Sequence, residues 1–140
     1  MFGRIAEDDV QDRGDGGMKI FFICPVRLGI EDQVTRYMKY LENYGHEIYY
    51  PPRDTNQVDV ETGGYRICKD NLAGILWSDE VHIWYRGDSQ GIHFDMGMAF
   101  ALNKRVKILN PEELYEHIPE GYSKDAPKSY PKMLQYWELL

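Results

Sequence analysis

KIFFICPV, residues 19–26, is a short apolar run rich in Ile and Phe and broken by Pro25. It reads as a strand buried on both faces, which places it at the centre of a parallel sheet. Downstream, Val34, Tyr37, Met38 and Leu41 recur at helical spacing within residues 31–44, and Gly45 supplies a stop. HEIYY (46–50) is then a second strand closed by Pro51 and Pro52, and RDTNQVDVETGG (53–64) is polar and turn-rich, a loop leading into a helix from Tyr65 to about Trp77. EVHIWY (80–85) gives a third strand, 86–90 a turn, 91–103 a helix and RVKIL (105–109) a fourth strand. Asn110-Pro111-Glu112-Glu113 has the form of a helix start with Asn as cap, and PKMLQYWELL (131–140) that of a last helix. Strands alternating with helices predict an α/β fold: a doubly wound, Rossmann- or flavodoxin-like parallel sheet of four to five strands with helices on both faces.

The chain of 140 residues is the size of one domain. Residues 1–17 carry five acids, two arginines and four glycines with no apolar periodicity, and read as a flexible leader; residues 18–140 form the domain. The whole chain has a formal charge of −7, and residues 18–140 one of −4. That balance argues against holding a nucleic acid polymer by phosphate neutralisation and favours a small-molecule partner. No apolar run has the roughly 20 residues of a membrane span, and none near the amino terminus resembles a signal peptide, so a cytoplasmic location is expected. Cys24 and Cys68 lack CxxC spacing and read as reduced thiols, and the four histidines form no HxxxH or HxH pair, so no metal site is expected. Neither GxxxxGK[ST] nor a GxGxxG after the first strand is present, which removes the main support for NTP hydrolysis and nicotinamide-dependent redox chemistry.

Doubly wound sheets bind ligands beyond the carboxyl ends of their strands, so residues 24–27, 51–54 and 86–91 come under scrutiny. Asp95 shares a helix face with Gly91, Ile92, Met98, Ala99 and Leu102, a carboxylate in an apolar stripe that must be paired, hydrogen-bonded or functional. Asp70 repeats the pattern with Ile67, Ala73, Gly74 and Trp77, and the two carboxylates are expected to converge above the sheet; an ion pair of Asp70 with Arg66 or Arg27 is the structural alternative. Ser89-Gln90-Gly91 opens the helix of Asp95 with a hydroxyl, free amides and a residue that permits close approach, suited to an anionic or polyhydroxylated ligand, or simply to capping. Among the aromatics, Phe22, Trp84 and Tyr85 read as core, and Tyr65, beside the polar loop, as the exception.

Taken together, KIFFICPVR (19–27), Asp70-Asn71 with Ile75 and Ser78-Asp79, and SQGIHFDMGMAFALNKRV (89–106) resemble the nucleoside 2-deoxyribosyltransferase family and its nucleoside 5'-monophosphate N-glycosidase relatives, over about residues 18–110. The resemblance puts Asp95 in the place of the family's nucleophilic Glu, with Gly91, Gly97, Ala99 and Ala101 as its small-residue frame, and Asp70 in that of the Asp that positions or protonates the substrate. Ser89 falls where the transferases carry a sugar-binding Asp and the monophosphate hydrolases a Ser near phosphate. Pro25 matches the strand-end Pro, while Phe21 replaces the family Tyr and Cys24 its Gly.

These correspondences imply an enzyme that cleaves or transfers at the N-glycosidic bond of a nucleoside or nucleoside 5'-monophosphate through a carboxylate nucleophile, without metal or organic cofactor. Asp95 and Asp70 are the expected catalytic pair, and Phe21, Cys24, Pro25, Arg27, Tyr65, Ser89, Gln90 and Gly91 the expected substrate contacts, Arg27 as counter-charge to phosphate. A homodimer or higher homo-oligomer is expected, with Met133, Leu134, Tyr136, Trp137 and Leu140 offering apolar surface either to a second copy or to the chain's own sheet. Asp for Glu and Phe for Tyr keep open a second reading, a nucleotide-binding or sensing module without turnover.

Overall fold

In the computed structural model, which describes residues 17–25, 31–118 and 128–140, β1 (Lys19–Ile23) runs inside an all-parallel sheet of order β2-β1-β3-β4. Its neighbours are β2 (Glu47–Tyr49) and β3 (Glu80–Ile83), with β4 (Arg105–Ile108) beyond β3. Phe21 stands opposite Tyr49 on one side and Val81 on the other. Ile20 through Ile23 have no exposed surface, as a strand covered on both faces requires.

Alternation along the strands divides the core in two. Ile20, Phe22, Ile48 and Trp84 face α1 (Glu31–Asn43) and meet its Val34, Tyr37, Met38 and Leu41, the four positions that the helical spacing singles out. Phe21, Ile23, Val81 and Ile83 face the opposite layer, where Ile75 of α3 (Tyr65–Trp77), Ile92, Met96 and Ala99 of α4 (Gln90–Ala101), and Leu134 and Trp137 of α6 (Tyr130–Glu138) cover them. Each large side chain buried in this way stabilises the fold by about 1.5–3 kcal/mol relative to exposure. The α1 layer also encloses His82, whose ring lies parallel to Phe22 and Tyr37 at centroid distances of 5.8 and 5.9 Å. The Tyr37 hydroxyl donates to His82 Nδ1 at 3.3 Å, and Nε2–H donates to the Glu80 carboxylate at 2.9 Å.

Two local expectations are corrected, at Pro51-Pro52 and at Asn110. Gly17 lies against the turn after α1, where a Cβ would stand 2.6 Å from the Gly45 carbonyl oxygen; residues 1–16 lie outside the described residues. Pro51 and Pro52 end β2 but also open α2 (Pro51–Asp54), because proline is tolerated at a helix start, so a single turn of helix occupies what reads as loop. Asn110 does not cap α5 (Pro111–Glu116): its side chain accepts from Tyr85 N at 2.8 Å and donates to Tyr85 O at 2.9 Å, fastening the end of β3. The carboxyl-terminal helix docks within the chain, with Leu134 and Trp137 buried and the Trp137 indole N–H donating to Lys104 O at 3.1 Å.

Candidate active site

The chain moves from β1 to β2 on one side, then crosses to β3 and β4 on the other, so the winding direction changes between β1 and β3. Crossovers of one hand must then lie on opposite faces, and the carboxyl ends of β1 and β3 are left with a crevice between them. Asp95 stands in the second turn of α4, the helix that follows β3, against α3.

Three side chains build the setting of Asp95. Asn71, nearly fully buried on α3, donates its amide Nδ2–H to Asp95 Oδ2 at 3.4 Å. Its Oδ1 accepts from Thr55 Oγ1 at 2.9 Å, and Thr55 Oγ1 lies 2.6 Å from the Tyr49 hydroxyl at the end of β2. The approach that allows this comes from Gly74, one turn along α3: a Cβ there would lie 2.8 Å from the Phe21 ring, so only glycine lets α3 settle this close to β1. Asp95 retains some surface, yet burial of its carboxyl pushes its pKa up to about 7, opposed in part by the Asn71 hydrogen bond. Burial and the nearby Asp95 charge likewise push the Cys68 thiol up.

Asp70 takes another role. Its carboxylate is 45% exposed and binds the Arg66 guanidinium at 2.5 Å, the ion-pair alternative. Arg66 also donates to the carbonyls of Asn56 and Val58, while Asp59 accepts from Gly64 N and Arg66 N, so this cluster ties the 56–64 loop to the start of α3. The expected convergence of two carboxylates is replaced by one carboxylate and one amide. Fitting Gly74 against Phe21 turns Asn71, Gly74 and Ile75 inward, a roll of one residue from the face assumed for Asp70.

The other expected contacts divide. Ser89 caps α4, accepting from Ile92 N at 3.3 Å, and Gln90 and Gly91 follow in the exposed first turn, where backbone N–H groups lack intrahelical partners. Cys24 and Pro25 are buried at the end of β1. Phe21 is wholly buried, stacked on Tyr49 at 5.2 Å, and so shapes the wall from behind. Tyr65 is exposed, with the Lys69 ammonium 5.9 Å from its ring centroid. Arg27 lies outside the described residues. Phe22, Trp84 and Tyr85 are buried, as core residues should be.

Sequence reasoning quoted Asn71 beside Asp70 without giving it a role, and passed over Thr55 and Tyr49 as site residues. It also passed over His93, whose Nδ1–H donates to Ser89 O at 2.6 Å and whose Nε2 accepts from the Tyr85 hydroxyl at 3.3 Å. His93 lies on the far flank of α4, where two cavities open. One of about 540 Å³ is lined by Tyr85, Arg86, Gly87, Asp88, Glu113 and His117; another of about 270 Å³ is lined by His93, Met96, Phe100 and Tyr130 among others. Neither of these two cavities is lined by Asp95. Among the described residues no three His, Cys, Asp or Glu side chains form a group that could hold a metal ion, and no helix is long and apolar enough to cross a membrane.

The fold is shared with a 2-deoxyribosyltransferase. That enzyme, from the psychrotolerant bacterium Bacillus psychrosaccharolyticus, matches with a TM-score of 0.54 at 24% identity, over 64% of this chain and 70% of its own. No family model and no curated protein matches the chain. The likeness agrees with the doubly wound sheet read from the sequence.

Proposed function

We propose that the protein is an enzyme of the nucleoside 2-deoxyribosyltransferase type, cleaving or transferring at the N-glycosidic bond of a nucleoside or nucleoside 5'-monophosphate, with Asp95 as nucleophile. The observation that carries this reading is the setting of Asp95: one desolvated carboxylate, held by an amide, at the winding switch of a fold shared with a 2-deoxyribosyltransferase. Asp95 Oδ attacks the anomeric carbon, the C–N bond breaks through an oxocarbenium-like state, and the base leaves with the bond's electron pair and takes up a proton. Water then displaces the carboxylate to give the free sugar, or a second base does so to give a new nucleoside. A carboxylate with a pKa of about 7 is a stronger nucleophile than an ordinary Asp while remaining about half ionised at neutral pH.

The free amides of Gln90 and Gly91 with the Ser89 hydroxyl suit a 5'-phosphate, and no carboxylate stands at Ser89 to repel it. The substrate is thus a small molecule; a cytoplasmic location and a single domain over residues 18–140 complete the reading. The outward face of α4, with Phe94 and Phe100 more than half exposed, supports a homodimer or higher homo-oligomer. A mass of 16.4 kDa by light scattering at every micromolar concentration would refute that.

The same pKa favours a second reading, a binding or sensing module. The protonated half of Asp95 offers a hydrogen bond and no nucleophile. Incubation with a panel of nucleosides and 5'-monophosphates, followed by chromatography for free base, separates the two. Base release that is lost in Asp95→Asn, by at least about 1,000-fold, supports the enzyme; binding without release supports the sensor.

A further inference from the structure

We propose that Thr55, acting through Asn71, is a positioning residue for Asp95: the hydrogen-bond chain Tyr49–Thr55–Asn71–Asp95 has a direction, and that direction presents an N–H to the carboxylate. This rests on the reading of Asp95 as the reacting group. The chain joins three separate parts of the fold, the end of β2, the segment after α2 and the buried face of α3, to the second turn of α4.

The direction follows from what each group can give. A side-chain amide has an acceptor end and a donor end, and which way it faces is decided by its partners. Thr55 Oγ1 donates its single proton to Asn71 Oδ1 at 2.9 Å. Having spent it, the same oxygen can only accept from Tyr49, whose hydroxyl stands 2.6 Å away. The oxygen end of Asn71 is thereby occupied, and its NH₂ end is turned to Asp95 Oδ2. A reversed amide would set Oδ1 against the carboxyl, which is tolerable only when Asp95 is protonated. By donating to Asn71 Oδ1, the Thr55 hydroxyl supports the amide orientation that suits the ionised, attacking form. Thr55 and Asn71 are both almost wholly buried, so water does not substitute for either partner without reorganisation.

Other groups facing Asp95 do not compete for this task. From α3 comes the Cys68 thiol, held neutral by burial and by Asp95 itself. The Arg66–Asp70 pair on the same helix is internally balanced. Beneath α4, Phe21 and Ile23 of β1 bring only apolar surface.

The test is a carboxyl ¹³C NMR titration of protein labelled at Asp, with the Asp95 signal assigned by Asp95→Asn. Thr55→Val keeps the shape of the side chain and removes the hydroxyl; the Asp95 midpoint is expected to rise by about half a pH unit, and Thr55→Ser to restore it. The acid limb of kcat for base release should move with the midpoint, while KM changes less. An unmoved midpoint in folded Thr55→Val overturns the proposal. Should Thr55→Val fail to fold, Thr55→Ala removes the same hydroxyl with a smaller side chain, and an unmoved midpoint there overturns it equally. A midpoint that moves in a protein releasing no base upholds the positioning and defeats only the reaction.

Discussion

Gly74 faces the Phe21 ring across the α3–β1 contact with no room for a methyl group: a Cβ on Gly74 would meet Phe21 Cδ2 and Cε2 at 2.8 Å and Tyr49 Cγ at 3.1 Å. Both neighbours are anchored, Phe21 in the central strand and Tyr49 in the hydrogen bond to Thr55. Gly74→Ala gains helix propensity but overpacks this contact, and the overpacking wins. A net loss of about 1–2 kcal/mol is expected, measured by urea unfolding. Because Asn71 rides on the same helix turn, base release should fall more than stability alone explains. An alanine variant as stable and as active as the parent would show that α3 has slack.

Asp95 should make the protein less stable as the solution becomes more alkaline. Its carboxyl gives up a proton near 3.8 in the unfolded chain and near 7 in the folded one. Between those values the folded state holds more protons, so its contribution to stability falls as pH rises. Asp95→Asn carries no such charge, and its stability relative to the parent should grow by about 2–3 kcal/mol from pH 4 to pH 8, after allowance for residual solvent exposure. Paired denaturant titrations at the two pH values check this; a constant difference between the proteins contradicts it.

His82 acts in the opposite sense. Burial holds its pKa below the usual 6.5, against the pull of Glu80. As pH drops below about 6.5 the unfolded chain takes up a proton that the folded chain refuses, so stability falls by up to about 1.4 kcal/mol per pH unit until the folded ring also protonates. In His82→Gln the acid-side slope of melting temperature against pH should be shallower. An unchanged slope would assign acid sensitivity to other groups.

Ser89 bears on phosphate. If the first turn of α4 holds a 5'-phosphate, monophosphates are better substrates than the matching nucleosides, and Ser89→Asp lowers kcat/KM on the monophosphate at least about 10-fold while affecting the nucleoside less. Equal kinetics on both substrates in the unaltered protein would remove the phosphate assignment.

The sheet was legible because its signals are local: the uninterrupted KIFFI run has no polar face to spare, and the spacing of Val34, Tyr37, Met38 and Leu41 allows only one inward side. Asp95 was legible for the same reason, as a charge among small and apolar neighbours. Its partner was not. Asp70 and Asn71 differ by 100° on the helix, and the choice between them depends on how α3 rolls, which is set by Gly74 meeting a ring from another strand. Thr55 was hidden inside a polar stretch whose composition says only loop. Asn110 looks like a helix cap in any one-dimensional reading, and only the neighbouring end of β3 reveals the other use of its amide.

That amide has a mechanical consequence. Leu109 N still pairs with Ile83 O at 2.8 Å, and one residue later the Asn110 side chain takes over as a surrogate peptide group for Tyr85. The backbone is therefore free to peel away into α5 without orphaning the last rung of β3. Tyr85 is thereby pinned at the head of the 86–88 turn, which the Arg86–Asp88 ion pair and the bond from Ser89 N–H to Arg86 O brace before the cap of α4 begins.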